Sequence, residues 1–513
     1  MNGAESLVKT LLGSGVEVVF ANPGTSEMHF VAALDREPAM RCILCLFEGG
    51  TSGAADGYFR MARKPAATLL HLAPGFGNAF ANLHNARKAR SGIVNVMGEH
   101  AVWHLAHESP LKGDTEGISR AVSHWTRISG EAGRVALDGA EAVRAAKAGQ
   151  IATLILPANT AWEEGGAPEV AGEPAPARMP RPDEIAAAAA ALGEPGAALM
   201  VDGEALYSDL GLVAARIAAK TGARLMAPFF TARQRRGGGS LRPARLAYEV
   251  DQNLGIMADV KALVLVGAQR PTAFFAYPGK PSLNEAPGTK VLALASAEMD
   301  LEGVLLALEE AVGARGLPLG PEAFVPLQVP GLPEGPMTLD RVGQAIAALM
   351  PAEAVVVNEA ITSGAPIAGA LAQARPHDWL VTMGGAIGAC LPTAVGVAVA
   401  CPGRKVLALS GDGSAMYTLQ SLWTMARERL DVTVVVFANH VYKILHGELA
   451  AVGATSGRNV ARMFDMVEPK LDWVALAEGH GVKGVQCRTT AEFVAAFGRA
   501  MAEPGPHLIA VEC

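Results

Sequence analysis

The sequence predicts an α/β protein of three domains, each a mostly parallel sheet flanked by helices. Three observations carry that expectation. Short apolar runs alternate with helical patterns along the whole 513-residue chain. The runs are continuous in Val, Leu and Ile rather than alternating, as strands covered on both faces are. Two proline-dense stretches, "GGAPEVAGEPAPARMPRPDE" and "GLPLGPEAFVPLQVPGLPEGP", cannot lie inside helices or central strands. They divide the chain into residues 1–165, 183–315 and 337–513, each of ordinary domain size.

Taken in order, "MNGAESLVKTLLGSG" reads as an amphipathic helix with Glu5 and Lys9 on its polar face. The first domain then offers the strands "EVVFAN", "RCILCLF", "AATLLHL" and "GIVNVMG", with "TSGAADGYFRMAR" as a helix. "CILCLF" is expected to be a buried strand ending in Glu48, with Cys42 and Cys45 as packing groups. The second domain offers "AALMVDG", "ALVLVGA" and "KVLALAS". The third offers "AVVVNEA", "KVLALSG", "VTVVVFAN" and "HLIAVEC", with "MYTLQSLWTMARER" as a helix. Trp379 to Gly403 carries no charge, but its glycines and Pro392 suit a glycine turn feeding a buried helix better than a membrane span.

Composition narrows the function classes. Half the residues are hydrophobic and 18% charged, which suits a large core. A net charge of −7 does not suit a nucleic-acid binder. Arg233, Arg235, Arg236, Arg242 and Arg245 cluster without interleaved aromatics, which suits a solvated loop or a site for one phosphate. Six cysteines in so long a chain do not make a disulfide framework, and no signal-peptide core opens the sequence. A cytoplasmic setting without membrane or nucleic-acid partners is expected.

The most informative stretch begins at "KVLALSGDGSAMYTLQ". A strand ends in Gly411-Asp412-Gly413-Ser414, and the next strand ends in Asn439, 27 residues after Asp412 (412 to 439). In one β-α-β unit both polar side chains leave carboxyl ends of strands and converge. A carboxylate, an amide oxygen and a backbone carbonyl are hard oxygen ligands that suit Mg²⁺ together with a diphosphate. The glycines allow close approach, and the following helix start favours the anion.

This pattern resembles the thiamine-diphosphate motif, and the chain as a whole resembles the family of acetolactate synthase, pyruvate oxidase and benzoylformate decarboxylase. "FANPGTSEMHF", "FEGGTSGAADGYFR", "HLAPGFGNAFANLHNA", "LVGAQRP" and "MGGAIGACLPTAVGVA" carry the resemblance through all three domains. It implies the thiamine-diphosphate-binding fold in pyrimidine, central, diphosphate order. It also implies a homodimer sharing active sites, usually within a homotetramer.

Residue by residue, the resemblance implies Asp412, Asn439 and the Val441 carbonyl as magnesium ligands. Gly413, Ser414 and Tyr442 match diphosphate contacts. Thr362 and Ser363 match them more loosely, with a helix N-cap as the equal alternative. Ile387 matches the apolar prop under the bent cofactor, and Gly385 the carbonyl that accepts from its 4′-amino group. Glu48 matches the catalytic glutamate at N1′ of the aminopyrimidine. Its simpler reading is a carboxylate at a helix start. His71 and Thr25 match the active-site histidine and the carboxylate-binding serine of benzoylformate decarboxylase. Phe274 falls where that enzyme has a second histidine, and Leu445 is a further substrate contact. His29, His84, His446 and Glu448 have no assigned role. The implied reaction is non-oxidative decarboxylation of a 2-oxo acid, with protonation or transfer of the acyl anion. An acetolactate synthase-like carboligase joining two 2-oxo acids is the alternative. Nothing in the central part signals FAD, so a flavin is not favoured.

Overall fold

The computed structural model describes residues 1–512. The chain is α/β, with three mostly parallel sheets flanked by helices. The first sheet has six strands in the order Arg41–Leu44, Val18–Ala21, Ala66–Leu70, Ile93–Glu99, Ile151–Pro157, Trp125–Ile128. The second has five: Ala244–Arg245, Arg224–Ala227, Ala197–Val201, Ala262–Val266, Lys290–Ala295. The third has seven: Lys483–Cys487, His507–Glu512, Val432–Ala438, Val406–Gly411, Val355–Glu359, His377–Val381, Gln234–Arg236. Every pairing is parallel except the last, where Gln234–Arg236 leaves the central segment and runs antiparallel to His377–Val381.

Each expected strand forms, and in most of them buried Val, Ile and Leu on both faces explain why. Val406–Gly411 and Val432–Ala438 pair in register from Val406↔Val432 to Gly411↔Phe437. The helix Gly3–Gly13 begins with a reciprocal cap between Asn2 and Glu5.

Two expectations need correction. "CILCLF" is not a buried strand throughout. The strand is Arg41–Leu44, at a sheet edge, with Cys42 exposed and only Ile43 buried. An edge position leaves one flank of the strand to solvent. Leu46 is 46% exposed, and Glu48 opens the helix Glu48–Ala62 instead of ending a strand. Most of the arginine cluster is not a solvated loop, although Arg242 is exposed outside any strand. Arg233 Nε donates to Asp378 Oδ1 at 2.8 Å, Arg235 pairs with Glu353, and Arg236 stacks on Trp379 at 4.3 Å. Asp378 is 1% exposed, so Arg233, with Arg235 at 3.8 Å, answers a buried carboxylate.

The uncharged stretch from Trp379 resolves into strand, glycine turn and the buried helix Cys390–Ala400. That helix crosses Glu48–Ala62 at very short range. A Cβ on Gly396 would sit 1.8 Å from the Ala54 carbonyl oxygen, and one on Gly57 would sit 2.1 Å from that of Thr393. Glycine is therefore a packing requirement at both positions. Among the described residues, no helix is long and apolar enough to cross a membrane.

Candidate active site

In an open parallel sheet, ligands lie beyond the carboxyl ends of strands where the strand order reverses. In the first sheet that point lies between Val18–Ala21 and Ala66–Leu70. The loop after Ala21 carries Thr25 and Glu27, and the residue after Leu70 is His71. In the third sheet the point lies between Val355–Glu359 and Val406–Gly411, whose ends lead into Thr362 and Asp412. The expected site residues thus form two groups, one at each crevice.

In the first group, Glu48 is the first residue of its helix and 8% exposed. Asn78 Nδ2 donates to its Oε2 at 2.9 Å. Among the described residues no other group donates to this carboxylate, so its second oxygen stays free. His71 stands at the corner between Ala66–Leu70 and the helix Leu72–Ala89. Its Nδ1 lies 3.0 and 3.1 Å from the two carboxylate oxygens of Glu27. An ionised carboxylate only accepts, so Nδ1 carries the proton and Nε2 is left open. Glu27 is 3% exposed and also accepts from the Gly24 amide at 2.8 Å and from the Ser26 hydroxyl. Thr25 lies exposed on the same turn.

Glu27 and Asn78 are absent from the sequence expectations. A signal for each was present. Glu27 lies two residues after Thr25 in "NPGTSE", and Asn78 lies seven after His71, two helical turns along "HLAPGFGNAF".

In the second group, Asp412 is 2% exposed and its carboxylate accepts the Gly413 amide at 2.8 Å and the His440 amide at 2.7 Å. Burial raises its carboxyl pKa above the usual range, the two amides opposing. Asn439 Oδ1 accepts the Val441 amide at 3.0 Å. The Val441 carbonyl accepts from Lys443 at 2.8 Å and keeps a second lone pair. Tyr442 lies over Gly413, where a Cβ would stand 2.4 Å from its ring. Ser414 follows, buried. Ser363 occupies the N-cap position of Gly364–Leu371, yet its hydroxyl makes no capping bond. Thr362 lies half-buried beside it.

Three non-glycine residues with left-handed backbone flank these groups: Leu72 (φ 50°), Ile361 (φ 45°) and His440 (φ 56°). Leu72 follows His71, His440 follows Asn439, and Ile361 precedes Thr362. For the β-branched Ile361 such a conformation is costly.

Gly385 has φ 75° and lies against Phe274, whose ring would be 2.8 Å from a Cβ there. Ile387 is half-buried, so it is not ordinary core. Phe274 is 40% exposed within a run of aromatic rings, 5.4 Å between centroids from Tyr248. The Tyr248 hydroxyl donates to Glu448 Oε1 at 2.9 Å, and that of Tyr277 to Oε2 at 3.0 Å. Burial and this carboxylate hold the Tyr248 hydroxyl pKa far above its ordinary value. Leu445, 37% exposed, lies on the same helix as Glu448, Lys443–Ala451. His84 abuts Gly384, His446 packs edge-on against Phe464, and His29 lies by Trp162.

Among the described residues, no hydrogen bond joins the Glu48–His71 group to the Asp412–Asn439 group. They are tied through scaffold side chains instead. Asn82 donates to the carbonyls of Gly49 (2.8 Å) and Gly388 (3.3 Å), and Asn85 exchanges two hydrogen bonds with Ala386.

Residues 1–118 match the family described as thiamine pyrophosphate enzyme, N-terminal TPP binding domain. Residues 364–511 match its C-terminal TPP binding domain. A Mycobacterium tuberculosis protein named "Putative acetolactate synthase large subunit IlvX" is 45% identical over 100% of this chain and 99% of its own. The chain belongs to the thiamine pyrophosphate enzymes. Another relative of this thiamine pyrophosphate enzyme is a benzoylformate decarboxylase of Pseudomonas aeruginosa, 27% identical over 97% of this chain and 96% of its own. Among solved structures, the Rhodococcus jostii RHA1 thiamine diphosphate-dependent 4-hydroxybenzoylformate decarboxylase superposes with a TM-score of 0.83. That likeness spans 100% of this chain and 99% of the other at 23% identity, and is one of fold.

The residues of this thiamine pyrophosphate enzyme fit its cofactor with a divalent cation. Asp412 is a buried carboxylate, and among the described residues no lysine or arginine pairs with it. Among the described residues, no three His, Cys, Asp or Glu side chains gather to hold a metal. A cation here would rely on one carboxylate, one amide oxygen and a carbonyl, with a diphosphate completing the shell. Gly411 has open space where a Cβ would stand.

Proposed function

We propose that this thiamine pyrophosphate enzyme holds thiamine diphosphate with Mg²⁺ and decarboxylates a 2-oxo acid non-oxidatively, in the manner of benzoylformate decarboxylase. The acyl anion is then protonated or transferred. The observation that carries the reading is the His71–Glu27 pair, an imidazole oriented by a buried carboxylate at the crevice of the first sheet.

When bound, the cofactor supplies the electron sink for the anion left by decarboxylation. The chain's residues do the rest. Asp412, Asn439 and the Val441 carbonyl hold the cation. Gly413, Ser414, Tyr442, Thr362 and Ser363 receive the diphosphate. Gly385 and Ile387 receive the pyrimidine side. The free oxygen of Glu48 meets the pyrimidine nitrogen and shares a proton there. His71, with Nε2 open, moves a proton at the substrate, and Thr25 binds the substrate carboxylate. Phe274 and Leu445 form the apolar wall. Because the two groups lie in separate crevices of one chain, each working site pairs the Glu48 group of one copy with the Asp412 group of another. The assembly is a homodimer within a homotetramer. The units are residues 1–165, 183–315 and 337–513, and the setting is the cytoplasm, consistent with five free cysteines among the described residues.

One observation favours the alternative, a carboligase joining two 2-oxo acids: the 45% identity to a protein carrying an acetolactate synthase name. The Glu448 carboxylate speaks against it, since a like charge one turn from Leu445 repels a second 2-oxo acid. Incubation with pyruvate and a panel of bulkier 2-oxo acids, with thiamine diphosphate and Mg²⁺, decides between them. Aldehyde is the expected product. Acetolactate from pyruvate would establish the alternative, and no consumption of any 2-oxo acid would overturn both.

A further inference from the structure

The buried carboxylate of Glu359 has no part in the chemistry above. It is the last residue of the strand Val355–Glu359, 2% exposed, and opposes Ser410 in the sheet register. It therefore stands at the order reversal of the third sheet, where a ligand-facing side chain is expected. Instead it turns to the protein. Oε1 accepts the Thr382 hydroxyl and the Ala389 amide, both at 3.0 Å, and Oε2 accepts the Cys390 amide at 3.3 Å.

Those donors bracket the glycine turn. Thr382 stands just before residues 384–389, Ala389 closes them and Cys390 follows, where the helix Cys390–Ala400 begins. Between them lie Gly385 and Gly388, both with left-handed φ, and Ile387. A segment with two such glycines is loose by itself, since glycine loses the most conformational freedom on ordering. A carboxylate that accepts from both ends closes it like a staple. From outside, Asn85 grips Ala386, and Thr418 Oγ1 donates to the Gly388 carbonyl at 2.8 Å. The Cys390 thiol, held between the carbonyls of Val357 and Leu409, fixes the helix start to two strands.

We propose that Glu359 is a positioning residue that pre-forms the turn 384–389 before the cofactor arrives. The inference rests on the reading of Gly385 and Ile387 as the pyrimidine-side contacts. Desolvation raises the Glu359 carboxyl pKa, the amide donors opposing, so the turn is bought at a cost in burial that a packing residue would not incur. Glutamine cannot replace it. Its Nε2 would face either the Cys390 amide or the Thr382 and Ala389 donors, leaving N–H against N–H.

The test compares wild type and Glu359→Gln by hydrogen exchange without cofactor. The peptide covering 384–390 should exchange tenfold faster or more in the variant, while that covering 432–438 is unchanged. Thiamine diphosphate, titrated at fixed Mg²⁺, should bind the variant at least tenfold more weakly. Equal exchange in 384–390, or a dissociation constant within twofold of wild type, overturns the proposal. Should Glu359→Gln not fold, Thr382→Val removes one donor and should speed exchange in the same peptide alone; an unchanged rate there overturns the proposal too. Wild-type protein that binds no thiamine diphosphate would sink the proposed function, whereas the exchange comparison judges Glu359 without the cofactor.

Discussion

Glu48 and Asp412 are both buried carboxylates at strand–helix junctions, yet they have different partners and so different expected losses. Asp412 accepts two backbone amides and, among the described residues, has no lysine or arginine partner. Glu48 accepts one amide, from Asn78, and has an oxygen free. Asp412→Ala should therefore raise the dissociation constant for thiamine diphosphate with Mg²⁺ at least tenfold. Glu48→Gln should leave that constant within a fewfold and lower kcat by about 10²-fold or more. Binding titrations beside steady-state kinetics separate the two; the reverse pattern would exchange their roles. At this scale the sequence was legible where a side chain is proposed to meet the ligand directly, as with Asp412, Asn439 and Glu48. It was less legible for Glu27 and Asn78, signalled only by their spacing from Thr25 and His71, and not legible for Asn82 and Glu359. Their contacts are to other residues far along the chain, and no local spacing announces a partner that only the fold supplies.

The strands foreseen in the sequence are those with continuous Val, Leu and Ile runs, and all of them form. The ones not foreseen are mostly at or next to sheet edges: Trp125–Ile128, Arg224–Ala227, Gln234–Arg236, Ala244–Arg245, His377–Val381 and Lys483–Cys487. An edge strand carries arginine, lysine or glutamine because one flank is open, which blurs its apolar signature. Ile151–Pro157 is the exception, an interior strand with the full signature. His377–Val381 has a measurable consequence. His377 is fully buried and its Nδ1–H donates to the Arg375 carbonyl at 2.8 Å. Burial lowers its pKa from 6.5 to about 4. Between those values the unfolded chain holds the extra proton, so stability present above pH 6.5 is lost as pH falls toward 4. The loss amounts to roughly 3 kcal/mol at most. Urea unfolding across pH 4–7 should show it, and His377→Gln should flatten that slope by up to one proton. An unaltered slope would mean the imidazole titrates normally.

Across the whole molecule, Arg60 joins all three sheets' neighbourhoods. It is 4% exposed, with Nε donating to Asp56 Oδ1 at 2.9 Å and Nη1 to the carbonyls of Val381 (2.7 Å) and Ala232 (3.4 Å). Arg60→Ala would strand the 1%-exposed Asp56 carboxylate, with Ser91 its remaining side-chain donor. Destabilisation of about 3–5 kcal/mol is expected, read from the shift in denaturant midpoint. A shift worth less than about 1 kcal/mol would mean the pair behaves like a surface ion pair. The strand Gln234–Arg236 crosses the same boundary and does something further. A sheet that ended at His377–Val381, with six strands, would show a row of unpaired amides and carbonyls, open to the same edge of another copy. The chain spends three residues, two of them arginine, on that row and turns them antiparallel. The sheet thereby ends in a strand too short to template a partner, with Arg235 paired to Glu353 and Arg236 stacked on Trp379.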